Sequence, residues 1–398
     1  MSSYEFPFLE KGLIRPLWKT SEDTCTAIDG NEFSLSMEKS PPKLSYLELP
    51  PPKSQQDTKP FRGLSVELRE WILTRPPPPP PPQPKPAPTI APATRKPRVK
   101  PFDLQDIPDV MDRIGWPVSA KLQRRWFAGA LNYANTDDGA RDGINQDGKP
   151  FPPSMIDTTI IKLDWLFRFP RAKEAFEYLS RKDVLFTARS RDVLARKFKR
   201  LRPTSRCLST WKLCDGNIHE YHKNFQFQLV SVDSDFYSKL KMFIRGVAVP
   251  NGIWMDDLYG ALGAFTFDAA IDSYSYMVYS NGRARLEIYG VSIYARDVFT
   301  FHDRSDEWGT QYLGHWNKTG FIIIPAGTIA GELTKSDIPW YTVTRNAYIS
   351  EKNVYYPIRN KDYRNWQLKH GQGGDFIIYS DRRSIPLAGP MVIEFNIE

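Results

Sequence analysis

Residues 264–303, AFTFDAAIDSYSYMVYSNGRARLEIYGVSIYARDVFTFHD, decide how this chain is read. Tyr274, Tyr276 and Val278 alternate with polar neighbours, and Ala284, Leu286 and Ile288 do so again. A strand with one buried face needs this period of two, because successive side chains leave opposite faces of a sheet. Asn281-Gly282 lies between the runs and predicts a type I′ hairpin turn, since both residues tolerate positive φ. A third run, Val291, Ile293 and Ala295, follows Gly290, so the stretch reads as an antiparallel meander. It ends in a dense polar and aromatic cluster: Arg296, Asp297, Phe299, Phe301, His302, Asp303 and Arg304.

Downstream the chain is strand and turn to the end, with IPLAGPMVIEFNIE expected as a closing strand pair. Upstream, FQFQLVSV and MFIRGVAV return to strand spacing within residues 225–250. Residues 101–224 read as helical support. Asp103 to Ile114 predicts a turn and a short helix, and Ala120 to Tyr133 predicts a helix with Leu122, Trp126 and Ala130 on one side. Ile161, Leu163, Trp165, Phe167 and Phe169 alternate with polar residues and predict a strand. Pro170 opens a helix burying Ala172, Ala175, Phe176 and Leu179, and a second helix covers roughly Asp183 to Leu201. The expected class is α+β: a helical segment followed by a mostly antiparallel β-meander sheet, preceded by a proline-rich disordered arm.

That arm is divided by composition. Residues 1–62 show little periodicity and repeated proline breaks, which reads as disordered or extended. Residues 63–75 hold a short amphipathic helix, GLSVELREWILT, and residues 76–100 a polyproline linker that begins with seven consecutive prolines, Pro76 to Pro82. Three cysteines, Cys25, Cys207 and Cys214, make no disulfide framework and point to a reducing compartment. No apolar run approaches the length of a membrane helix, so no transmembrane segment is expected. The opening MSSYEFPFLEKGLIRPLW lacks the basic-then-apolar pattern of an export signal. The expectation is a protein made in the cytoplasm that leaves it, if at all, by another route. The net charge of +8 favours an acidic partner, whether nucleic acid, an anionic membrane or a phosphate-bearing substrate.

Four constellations carry possible chemistry. Arg196, Lys197, Lys199 and Arg200 form an anion-binding candidate on a helix whose cations also suit its C-terminal dipole. Cys207, Cys214, His219 and His222 have metal-binding side chains, but their spacing is not one that structural zinc sites use, so a buried cysteine pair beside two surface histidines is expected, with no metal. Asp297, His302 and Arg304 are the catalytic candidates, with His302 as base and Arg304 on a phosphate; a charged strand end capping the sheet is the alternative. Asp375 joins them from GQGGDF, a run otherwise read as a hairpin turn without phosphate-loop spacing. The acidic loop DDGARDGINQDG lacks the spacing and closing Glu of a calcium-binding loop. Nucleophile-elbow, zincin and dinucleotide-binding motifs are absent, and no cofactor is expected.

IDTTIIKLDWLFRFPRAKEAFEYL, YGVSIYARDVFTF, QYLGHWN and GGDFIIYSD together resemble an uncharacterised proteobacterial family often encoded near type VI secretion spike genes. The resemblance covers about residues 153–398. It implies an antibacterial effector acting on envelope material, delivered by a contractile machine, with a spike or adaptor partner and a cognate immunity protein. It equally implies an accessory protein of such an effector; apart from the resemblance, the alternative is a non-enzymatic adaptor whose N-terminal arm binds a spike or cargo protein. A fainter similarity to colicin M-type hydrolases rests on Asp297, His302 and Arg304. Phe299 and Thr300 stand where that pattern has Tyr and a second Asp, so its mechanism is not carried over.

Overall fold

A computed structural model of the chain describes residues 5–11, 18–28, 32–46, 99–201, 206–233, 255–303, 310–324, 341–345 and 349–397. The described residues belong to one compact unit, and residues 49–98 lie outside the described residues. The expected helix at Gly63–Thr74, the polyproline linker, the MFIRGVAV strand and Arg304 therefore lie outside the described residues.

The class is α+β, as the pattern of periods requires. Strands β1 (Glu5–Lys11) and β2 (Trp18–Ala27) open the chain. The helical segment holds α1 (Ile107–Arg113), α2 (Pro117–Phe127), α3 (Asp137–Asp142), α4 (Leu163–Leu166), α5 (Pro170–Leu179), α6 (Lys182–Leu185) and α7 (Ala188–Leu201), with β3 (Ile156–Asp157) between α3 and α4. Next come β4 (Arg206–Cys207), α8 (Thr210–Leu213), α9 (Ile218–Phe225), β5 (Gln226–Val232) and α10 (Asp257–Leu262). The C-terminal half holds β6 (Phe265–Val278), β7 (Arg283–Phe299), β8 (Tyr312–Asn317), β9 (Gly320–Ile322), β10 (Val343–Thr344), β11 (Val354–Arg359), α11 (Asn360–His370), β12 (Phe376–Tyr379) and β13 (Arg383–Asn396).

β6 and β7 are the spine of the larger sheet, with order β3-β12-β7-β6-β4, while β13 pairs with β7 and β5 with β6. All its pairs are antiparallel except β3 with β12. Two expectations fail inside the spine. Gly290 does not end a strand: β7 continues through it, and the register shifts beside it, with an extra residue on β6 at Asp272, one on β7 at Tyr289 and several on β13 after Pro386. The β6–β7 connection is not type I′ either. Only Gly282 has positive φ, at 77°, while the Tyr279 carbonyl accepts the Gly282 N–H at 3.2 Å and Tyr279 N–H donates to Arg283 O at 2.8 Å. That is a type I turn closed by a glycine bulge, the three-residue solution to the same geometry.

IPLAGPMVIEFNIE is likewise one interrupted strand, β13, rather than a pair. Ile161 to Phe169 is not a strand. Asp381 accepts the Leu163 N–H at 2.8 Å, and the chain turns into α4. Ile161, Leu163 and Leu166 are buried on that turn, so the alternation was satisfied by a helix start. The expected helix from Asp183 is two helices, α6 and α7, with Phe186 and Thr187 between them.

The N-terminal arm contributes strands of its own. β1 and β2 pair with each other, and β2 adds to β10 to give a six-stranded sheet of order β1-β2-β10-β11-β8-β9. β1 lies against β9, so this sheet curls on itself. Phe8, Cys25, Ile322, Ile324, Val343 and Tyr355 fill its interior. Residues 32–46 then run along the helices as a strap. The Asp103 carboxylate accepts Ser36 Oγ at 2.7 Å and the Glu38 N–H at 3.0 Å, Gln372 Nε2 donates to Pro42 O at 2.8 Å, and Tyr46 lies 3.8 Å from the Arg125 guanidinium. Sequence periodicity misses these segments because their partners, Asp103, Arg125, Val343 and Gln372 among them, lie far along the chain.

Candidate functional site

Helix α11 delivers the chain to the end of β12. It stops at Gly371, which adopts φ 60°, and Gly373 follows at φ 98°. A Cβ at Gly374 would sit 2.6 Å from the Ala130 carbonyl, so the backbones meet too closely for any side chain. GQGG is therefore a helix stop and a close crossing rather than a hairpin turn. Asp375 emerges from it 1% exposed. Trp126 Nε1 donates to its Oδ1 at 2.8 Å and Thr300 Oγ1 to its Oδ2 at 2.6 Å. Burial pushes this carboxyl up to about 6, against the pull of those two donors and of Arg364 and His302.

His302 lies just beyond, where β7 has left the sheet. Its position follows from Phe301, whose ring stacks on Tyr363 at 3.6 Å and 3°. The His302 N–H donates to Thr300 Oγ1 at 3.2 Å, and Asn360 Nδ2 donates to its carbonyl at 3.2 Å. Its Nε2 stands 2.8 Å from Oδ1 of Asp137, the first residue of α3. With Nε2 donating to the carboxylate, Nδ1 carries the ring's lone pair.

Asp297 is not part of this group. It pairs with Ile378, so it shares a sheet face with Phe299 and Phe376, opposite the face of Arg296 and Tyr379. Burial pushes its carboxyl up to about 7. His302 and Asp375 thus come together through Thr300, and Asp297 leaves the set. Asp297 lies within β7, whereas Thr300 and His302 follow its end, so nearness in sequence does not bring them together.

A second polar centre lies beneath α9. His219 Nδ1 is 3.1 Å from Tyr379 Oη, and His222 Nδ1 is 3.0 Å from Tyr294 Oη. Both imidazoles are held below the usual range, first by desolvation; Arg296 is the next cause for His222, while for His219 it adds to Lys223 against the pull of Glu220. Tyr379 is raised to about 12 and Asp268, which pairs with Tyr294 across the strands, to about 6, both mainly by burial. The histidines are therefore not surface residues beside cysteines. They clamp α9 to the sheet, and Cys207 is only partly buried, so the pair is not a buried one. The His-x-x-His spacing, one helical turn beside Ile218, Tyr221 and Phe225, is the signal that marks this face.

The basic helix divides in the same way. On α7, Lys197 turns inward, donates Nζ to the Lys223 carbonyl at 3.0 Å and is lowered to about 8, chiefly by desolvation. Lys199 is half-buried, and Arg196 and Arg200 face solvent.

The family model covering residues 102–395 matches nearly the whole folded part that follows the strap. The chain belongs to DUF6402, a family of unknown function. No curated protein and no solved structure matches it. The DUF6402 region excludes β1, β2 and the strap, yet β1 and β2 complete its curled sheet and the strap packs along its helices. It includes both polar centres and a cleft of about 360 Å³ lined by Trp116, Trp165, Phe169 and Met255. At that cleft Arg171 holds Asp256 through two bonds, at 2.8 and 2.7 Å, and Ser119 Oγ donates to Asp257 Oδ1 at 2.8 Å. Among the described residues of this DUF6402 chain, no group of three His, Cys, Asp or Glu is placed to hold a metal ion, and no helix is long and apolar enough to cross a membrane.

Proposed function

We propose that this chain is an antibacterial effector whose acid–base centre is His302 with Asp137, acting on envelope material of a target cell. The observation supporting this reading is the 2.8 Å contact between His302 Nε2 and Asp137 Oδ1, at side chains 15% and 38% exposed. A carboxylate on one imidazole nitrogen fixes the ring and leaves the other nitrogen to take a proton. Delivery by a type VI spike follows from the sequence resemblance, and a cognate immunity protein would accompany it. The test expresses the full chain in a bacterial host, once in the cytoplasm and once with an added export signal. Killing is expected only on export. His302→Ala and Asp137→Asn abolish it, Asp297→Ala does not, and thermal melts verify that each variant folds. Undiminished killing by His302→Ala sinks the reading.

A second reading, a non-enzymatic adaptor, is supported by the path of the chain. In sequence, the proline-rich residues 49–98 lie between two segments, 1–48 and 99–398, that belong to one compact unit. Replacing residues 49–98 with a Gly/Ser linker of similar length separates the two. Loss of co-purification with a co-expressed spike protein, with killing absent throughout, is the adaptor outcome.

A further inference from the structure

Residues 193–214 carry seven Lys or Arg and no Asp or Glu. Ordinary solvated faces intersperse both signs; this one does not. Arg196 and Arg200, one helical turn apart, are exposed on α7, while Leu194 and Phe198 are buried on its opposite side. Among the described residues neither arginine is in an ion pair. Phe198 packs on Tyr274 with ring centroids 5.0 Å apart, and Cys207 of β4 pairs with that same Tyr274. Thr210 Oγ1 ties α8 to the carbonyls of Ile271 and Asp272. The end of α7, β4 and α8 therefore gather around one stretch of β6, and Lys212 of α8 lies near the cations of α7, while Arg206 pairs with Ser275 on the sheet face opposite Tyr274.

This charged edge also shows two large apolar side chains to water: Leu208 is 75% exposed and Leu213 is 61% exposed. Cations beside exposed leucines are the composition that binds the boundary between lipid headgroups and acyl chains. We infer that this edge docks on an anionic phospholipid surface, with Arg196, Arg200 and Lys212 on headgroup phosphates and Leu208 and Leu213 entering the interface. A nucleic acid satisfies the cations but offers the leucines nothing. Single-strand binders present aromatic rings to bases, whereas Trp211, the ring on α8, is covered by the Arg382 guanidinium at 4.6 Å. The inference deepens the envelope reading, but lipid binding rather than killing scores it, so either falls without the other.

The test is cosedimentation of the full chain with vesicles of phosphatidylcholine alone and of phosphatidylcholine with about one-third phosphatidylglycerol. The bound fraction is expected to be at least about tenfold higher on the anionic vesicles and to fall steeply with salt. Arg196→Glu with Arg200→Glu should remove most of it, and Leu208→Ser with Leu213→Ser should lower it by about tenfold. All four sites are exposed, and circular dichroism checks the fold of each variant. Equal binding to neutral vesicles, or charge and leucine variants that bind as the parent does, overturns the proposal. So does a DNA duplex that binds with the same charge dependence while the leucine variant leaves vesicle binding unchanged.

Discussion

Thr300 stands between His302 and Asp375: its hydroxyl donates to Asp375 Oδ2 at 2.6 Å and accepts the His302 backbone N–H at 3.2 Å. The histidine and the buried carboxylate therefore communicate through one hydroxyl. Trp126 closes the other oxygen of Asp375 at 2.8 Å.

Removing Trp126 Nε1 tests the structural share of this link. Trp126→Phe leaves Asp375 Oδ1 buried without that donor, which costs about 1–3 kcal/mol in addition to lost packing. Urea denaturation measures it. In Asp375→Asn the same substitution should cost markedly less, because the carboxylate it orphans is gone.

The buried titratable groups predict opposite pH dependences. Asp375 is raised to about 6, so the folded chain holds a proton that the unfolded chain releases near its ordinary value of about 3.9. Its charged form penalises the fold above pH 6, and that penalty is relieved as pH falls from 6 towards 4. His315, buried with Nε2 3.0 Å from the Tyr341 carbonyl, is held down to about 3 by desolvation. Its unfolded form takes a proton at about 6.5, so it loses stability over the window from 6.5 down to 3. Asp375→Asn should therefore become more destabilising, relative to the parent, between pH 7.5 and 5, and His315→Gln less so. Shifts of the same sign in both variants would contradict these assignments.

The N-terminal segments should behave as part of the fold. Deleting residues 1–48 removes β1, β2 and the strap, exposes the β10 edge and uncovers Val343 and Tyr355. The product should aggregate or melt many degrees lower. Replacing residues 49–98 with a Gly/Ser linker of similar length should leave melting within a few degrees, because loop closure depends weakly on composition and length.

Gly374→Ala and Gly389→Ala form a matched pair. At Gly374 a Cβ meets the Ala130 carbonyl at 2.6 Å, and at Gly389 it meets nothing within 4 Å. The first should cost about 1–3 kcal/mol, the second less than about 0.5 kcal/mol, by thermal unfolding.

Hydrogen exchange checks the clamp beneath α9. His219→Ala with His222→Ala removes the contacts to Tyr379 and Tyr294, so amides of α9 should lose protection while those of β6 and β7 keep theirs.

Local periodicity determined a good deal: the α+β class, the β6–β7 hairpin, α5 with its inward Ala172, Phe176 and Leu179, and the helices near Ile107 and Leu122. Each of these follows from side chains alternating within a dozen residues, where propensity and amphipathicity act directly. Tertiary structure decided the rest. Register put Asp297 on the sheet face of Phe299 and Phe376, and backbone pairing with β10 made strands of an aperiodic N-terminus. A cap from Asp381 turned an alternating run into α4. α9 brought His219 and His222 to phenols of β12 and β7, 160 and 72 positions away. Those outcomes depend on which distant backbone or carboxylate arrives, and a period read along the chain carries no term for it.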